Sequence, residues 1–131
     1  MQHTEQQQKI LIVDDSLDHQ VIIQKMLEAM PFQLSFASDG KQAVERVEKE
    51  SFDLIIMDIE MPNRNGLTTL INMGVKRIHH DGSGLNIPVV VATGLHGEEV
   101  RQIILGQNIN VFLRKPYKSN ELLETVKNLI G

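Results

Sequence analysis

The 131-residue chain contains no cysteine. Disulfides, thiolate zinc sites and cysteine nucleophiles are thereby excluded, and any chemistry falls to carboxylates, hydroxyls, lysine or histidine. Long apolar runs are missing too. Ile10 to Val13 and Leu54 to Met57 are only strand-length, far below the roughly 20 residues that cross a bilayer. There is no basic excess: 17 acidic side chains stand against 13 basic ones, a formal net charge of -4, which argues against broad binding to a phosphate backbone. Met1 to Lys9 is polar and glutamine-rich, without the basic start and apolar stretch of a secretory signal. These absences predict a cytoplasmic chain with no direct nucleic-acid partner and no membrane insertion. A chain of this length can bury a core without a disulfide or structural metal, and one domain over residues 9–131, after a polar tail at 1–8, is expected.

Along the chain, short apolar runs alternate with helical patterns. Lys9 to Val13 is an unbroken β-branched run that stops at Asp14-Asp15, as a strand buried on both faces would. Ser16 can cap a helix whose apolar positions are Val21, Ile22, Ile23, Met26, Leu27 and Met30, with Pro31 ending it. Phe32 to Phe36 alternates apolar and polar, the pattern of an edge strand. Ser38-Asp39-Gly40 opens a second helix with Ala43, Val44 and Val47 inward. Phe52 to Met57 is another buried strand, ending at Asp58. The loop Met61 to Gly66 leads to a third helical segment from Leu67 to about Ile78. Pro88 opens a strand that stops at Thr93, Glu98 to Gln107 reads as a weak helix, and Val111 to Leu113 is a fifth strand ending near Lys115-Pro116. Ser119 can cap a last helix with Leu122, Leu123, Val126, Leu129 and Ile130 on one face. Strands alternating with helices require a parallel sheet covered on both sides, an α/β fold.

The polar residues Asp14, Asp15, Asp58, Thr93 and Lys115 all fall at the carboxyl ends of predicted strands, where open parallel sheets bind ligands. A strand order of 2-1-3-4-5 brings the three carboxylates into one pocket, with Thr93 and Lys115 arriving from the other side. Close carboxylates repel unless a cation lies between them. An all-oxygen set suits Mg2+ better than zinc. Asp58, alone at the end of its strand, is the candidate nucleophile toward phosphorus. Lys115 can neutralise phosphoryl oxygens and the Thr93 hydroxyl can donate a hydrogen bond.

Ile10 to Asp15, then Leu54 to Pro62 with Gly66, then Val91-Ala92-Thr93-Gly94, then Leu113 to Pro116, resemble the four ordered signatures of the response-regulator receiver domain of two-component signalling. The likeness runs over about residues 9 to 130. It implies a flavodoxin-like (βα)5 doubly wound fold with a five-stranded parallel sheet of order 2-1-3-4-5. It further implies Asp58 as acceptor of a phosphoryl group from a histidine kinase or histidine phosphotransfer protein. Mg2+ would be held by Asp14, Asp15, Asp58 and the backbone carbonyl of Glu60. By the same likeness Thr93 and Lys115 sense the phosphoryl group, the Lys115-Pro116 bond is cis, and Phe112 sits at the aromatic switch position. The fourth helix, fifth strand and fifth helix then present a changed face to a protein partner in trans. Gly94 stands where the family commonly has alanine, and Phe112 where it often has tyrosine; Phe112 reads equally as core and as switch.

Such a chain is a signalling phosphoacceptor, not an enzyme in the ordinary sense. Two rivals differ in class. A Mg2+-dependent phosphatase with an aspartyl nucleophile would want a second aspartate where Glu60 stands, and a non-phosphorylated receiver would serve only as a binding scaffold. The five histidines carry no chemistry in this reading: His79 and His80 are adjacent and so do not share a helical face, and His3, His19 and His96 are scattered.

Overall fold

Lys9 to Val13 lacks any turn former, and it forms β1 (Lys9–Val13), whose last four residues are fully buried. A computed structural model describes residues 7–58, 86–94, 109 and 111–130, with Thr93 described by its backbone alone. Within them follow α1 (Leu17–Leu27), β2 (Gln33–Ala37), α2 (Gly40–Lys49), β3 (Leu54–Asp58), β4 (Val89–Thr93), β5 (Val111–Arg114) and α3 (Ser119–Ile130). The helical segments expected at 67–78 and 98–107 lie outside the described residues, as do Glu60, His79, His80 and His96.

The five strands make one parallel sheet in the order β2-β1-β3-β4-β5. This is the expected doubly wound arrangement. Strand residues alternate between two cores, as the pleat requires. Leu11, Val13, Ile55, Met57, Val89 and Val91 pack with Ala43 and Val47 of α2 on one face. Ile10, Ile12, Leu54, Ile56 and Val90 pack with Ile23 and Leu27 of α1 and Leu122 and Val126 of α3 on the other. Each fully buried aliphatic side chain contributes about 1.5–3 kcal/mol, so β1 and β3 form a stiff centre from which the site projects. β2 lies at one edge of the sheet, and Phe32, Leu34 and Phe36 are only partly buried.

Three local readings are corrected. The apolar positions given to α1 span too wide an arc for one face, because successive residues turn by about 100°. Ile23 and Leu27 point inward, whereas Val21 is 49% and Ile22 48% exposed. The third buried position is Gln20, whose amide nitrogen donates to the Asp14 carbonyl at 2.7 Å and to Ser38 Oγ at 3.3 Å. The helix also ends at Leu27 with Glu28 as its cap, ahead of Pro31. At the other terminus Ser119 is the first residue of α3 and not its cap. There Glu121 turns back to accept from the Lys118 backbone N–H at 3.1 Å, one half of a capping box.

Candidate functional site

Register assembles the site. Val13 pairs with Met57, so the next residues along, Asp14 and Asp58, emerge side by side at the carboxyl edge. Asp58 pairs with Ala92, and the Thr93 backbone pairs with Arg114, one residue before Lys115. The order β2-β1-β3-β4-β5 thus gathers aspartates from two strands and lysine from a third, as the positions at strand ends predict.

Both carboxylates are inside, Asp14 at 2% and Asp58 at 6% exposure. Asp58 Oδ2 lies 3.0 Å from Lys115 Nζ. Asp14 Oδ1 accepts from the Ser16 backbone N–H at 2.9 Å, and Oδ2 lies 3.3 Å from His19 Nδ1. Ser16 acts twice, because its Oγ also accepts from the His19 N–H at 3.2 Å and caps α1, setting the first turn of that helix over Asp14. Burial raises the Asp14 carboxyl above its ordinary value and the neighbouring Asp58 raises it further. The Ser16 N–H, His19 and Lys115 oppose this but do not cancel it.

Among the described residues, one ligand atom each from Asp14, His19 and Asp58 lie within 4.8 Å of one another. Asp15 is exposed and is not one of the three. Thr93 reaches the site edge by its backbone, while its hydroxyl and the Glu60 carbonyl lie outside the described residues. Phe112 is half-buried and packs on the α2-side core. The Lys115-Pro116 bond is cis.

A cleft of about 450 Å³ opens beside these groups, with Asp14, His19 and Lys115 at its polar end and Ile22, Ile23, Met26, Pro116 and Tyr117 as its apolar wall. Burial, together with the fields of Asp14 and Asp58, pushes the Tyr117 phenol above its ordinary value, so it stays neutral. Two members of this site were not assigned from the sequence. His19 lies five positions after Asp14, within the first turn of a helix that Ser16 caps, and Tyr117 two positions after Lys115; the capped turn is the signal that points to His19.

Two buried carboxylates beside one another and a lysine are suited to holding a hard cation and a phosphoryl group. The pair Asp14 and Asp58 fits a divalent ion by donor chemistry, because each oxygen set is hard and burial makes their joint charge costly without one.

Comparison with known proteins points the same way. The response regulator receiver domain model matches residues 10–127. The CAI-1 autoinducer sensor kinase/phosphatase CqsS of Vibrio cholerae is 30% identical over 96% of this chain and 18% of its own length. The transcriptional regulatory protein CpxR of Escherichia coli is 30% identical over 93% of this chain and 49% of its own. The chain therefore spans half or less of the length of these relatives. Among solved structures, the receiver domain of sensor histidine kinase PA1611 from Pseudomonas aeruginosa, with magnesium coordinated in its active site cleft, is 28% identical. It superposes with a TM-score of 0.79 over 96% of this chain and 99% of that one. The chemotaxis protein CheY4 of Vibrio cholerae, 24% identical, gives a TM-score of 0.79 over 95% of this chain and 100% of that one, a likeness of fold.

Proposed function

The chain belongs to the response regulator receiver domain family of two-component signal transduction, and on that premise we propose that Asp58 accepts a phosphoryl group from a phosphohistidine. The observation that carries this reading is the buried Asp58 carboxylate 3.0 Å from Lys115 and beside Asp14 at the sheet's carboxyl edge. In the step, an Asp58 oxygen forms a bond to phosphorus while the bond from phosphorus to the donor's imidazole nitrogen breaks, its electron pair staying on that nitrogen. Lys115 is placed to neutralise the incoming phosphoryl oxygens. Mg2+ is the ion that Asp14, Asp15, Asp58 and the Glu60 carbonyl would hold; when bound it would offset the charge that two carboxylates and a phosphoryl group otherwise concentrate. The relative from Pseudomonas aeruginosa, with magnesium in its cleft, supports that assignment.

The donor is a histidine kinase or histidine phosphotransfer protein, and residues 9–131 constitute the receiver unit. Phosphorylation shifts a two-state equilibrium: Thr93 and Lys115 close on the phosphoryl group, and the face made by the segment 98–107, β5 and α3 around Phe112 changes for a protein partner in trans. No described helix is long and apolar enough to cross a membrane.

Incubation with Mg2+ and a small acyl-phosphate donor, followed by mass spectrometry, tests this. The expected product carries one added phosphoryl group that is base-labile and absent from Asp58→Asn and from chelated samples. A folded, Mg2+-loaded protein that stays unmodified would leave only the scaffold reading, and sustained turnover of phosphate esters would favour the phosphatase.

A further inference from the structure

His19 stands in the acidic site without a part in phosphoryl transfer. Its Nδ1 is 3.3 Å from Asp14 Oδ2, and a ring nitrogen lies within 4.8 Å of an Asp58 carboxylate oxygen. The imidazole is about half exposed (49%) while the Asp14 side chain is 3% exposed, so a metal ion arriving from solvent meets the nitrogen at the rim and the carboxylates beneath it. The Ser16 cap holds the backbone of His19 in the first turn of α1, which keeps the ring over Asp14. Among the described residues the three ligand atoms come from three different elements: the end of β1, the first turn of α1 and the end of β3. An Asp-His-Asp set is not the donor set that Mg2+ selects. Mg2+ keeps to carboxylates, carbonyls and water, whereas imidazole suits zinc, copper, iron and nickel.

We propose that His19 supplies, through Nδ1, a nitrogen ligand that lets this pocket hold Zn2+ or a similar divalent transition metal together with Asp14 and Asp58, in competition with Mg2+. The inference rests on the reading of Asp14 and Asp58 as the Mg2+ site. It gives the pocket two metal modes with shared carboxylates and different third ligands. Ions of the Zn2+ class engage His19, and Mg2+ leaves it aside.

The test is calorimetric titration of the whole chain with ZnCl2 and, separately, MgCl2, on the wild type, His19→Ala, His19→Asn and Asp14→Asn, with 15N NMR of the imidazoles during the zinc titration. Both His19 variants should lose roughly 10- to 100-fold in Zn2+ affinity, the range seen when even a supporting residue of a metal site is removed, with Mg2+ affinity within twofold. In the wild type the Nδ1 resonance of His19 should shift as Zn2+ saturates. The inference is overturned if either His19 variant keeps its Zn2+ affinity within twofold, or if that resonance does not move while another histidine's does. An Asp14→Asn variant with unchanged Mg2+ affinity would overturn the underlying site reading as well. Lost Mg2+ affinity there, with unchanged Zn2+ affinity in the His19 variants, overturns the His19 ligand alone.

Discussion

At the amino end of β1, Lys9 Nζ lies 3.2 Å from Glu50 Oε1 and 5.3 Å from the Phe52 ring centroid, and the Lys9 backbone N–H donates to Asp53 Oδ2 at 2.8 Å. Arg46 reaches the same Glu50 at 3.0 Å. Beyond Val13, at the other end of the strand, Asp14 and Asp58 are buried side by side with Lys115 at 3.0 Å from Asp58. The two ends of the sheet therefore treat carboxylates in opposite senses. Desolvation alone would raise Glu50, but Arg46 and Lys9 outweigh it and hold its carboxyl below the ordinary value. At Asp14 the desolvation is deeper and its neighbour is another carboxylate, so the shift is upward. A carboxylate is thus matched by cations at the surface at one end of the strand and left in surplus inside at the other.

The largest effect expected from this contrast is stabilisation by Mg2+. At a Mg2+ concentration a hundredfold above its Kd, binding to the folded state alone adds about 2.7 kcal/mol, read as a shift in the urea midpoint against an EDTA-treated sample. Asp14→Asn should lose most of that response and Glu50→Gln none of it. An equal response in both variants would mean that the surplus charge is not what the ion answers. Next comes Lys115→Met. Removing the ammonium 3.0 Å from Asp58 leaves its carboxylate poorly compensated, and in EDTA the chain should lose about 2 kcal/mol. This is less than the 3–5 of a fully buried pair, because Lys115 keeps a quarter of its side chain in water. Loss of the same size in saturating Mg2+ would contradict the view that lysine and ion offset the same charge.

Legibility in the sequence follows the same divide. The central strands were readable because strands buried on both faces are written as apolar runs with one meaning, and the site's Asp14 and Asp58 because each ends such a run, whereas Lys115 follows the partly buried β5 and its exposed Arg114. Helix orientation was less readable. Leu17, Val21 and Ile22 are apolar yet exposed on α1, and Gln20 is buried because a backbone carbonyl and a serine satisfy its amide, partners that no periodicity displays. His19 reads as one of three scattered histidines for a related reason: its neighbour in space is set by a cap at Ser16, and a lone histidine in a helix has no pattern of its own.

Asp14 and Glu50 should also give stability opposite dependences on pH. The folded-state value of Asp14 lies above its unfolded one, so in the window between them the folded chain holds the extra proton. Its contribution to stability is therefore highest at low pH and declines as pH rises through that window. Glu50 is depressed, so its contribution is present above the ordinary glutamate value and fades as pH falls through the lowered one. In EDTA, Asp14→Asn should remove the first dependence and raise stability near neutrality by about 1 kcal/mol, since an amide oxygen can still accept from the Ser16 N–H. Denaturant midpoints across the acid range check both. A variant that is less stable than wild type at neutral pH without metal would show that the Asp14 charge is welcome in the folded state, against the contrast drawn above.

Glu50→Gln should have the smallest effect. The ion pairs with Lys9 and Arg46 are solvent-accessible, with side-chain exposures of 28% and 43% against 32% for Glu50, and such pairs are worth at most about 1 kcal/mol. Two features reduce even that. Arg46 precedes Glu50 at the four-residue spacing, the less favourable polarity for a helix pair, and Glu50 itself caps the carboxyl end of α2, where the helix dipole opposes a negative charge. The expected loss is below about 0.5 kcal/mol, shrinking further in high salt. Lys9 should be held in place regardless, because its backbone N–H still donates to Asp53 and its carbonyl still accepts from the Asp53 N–H at 2.8 Å. A loss well above 1 kcal/mol that persists in salt would show the amino end to be as electrostatically demanding as the carboxyl end, and the functional reading of buried surplus charge would lose its structural counterpart.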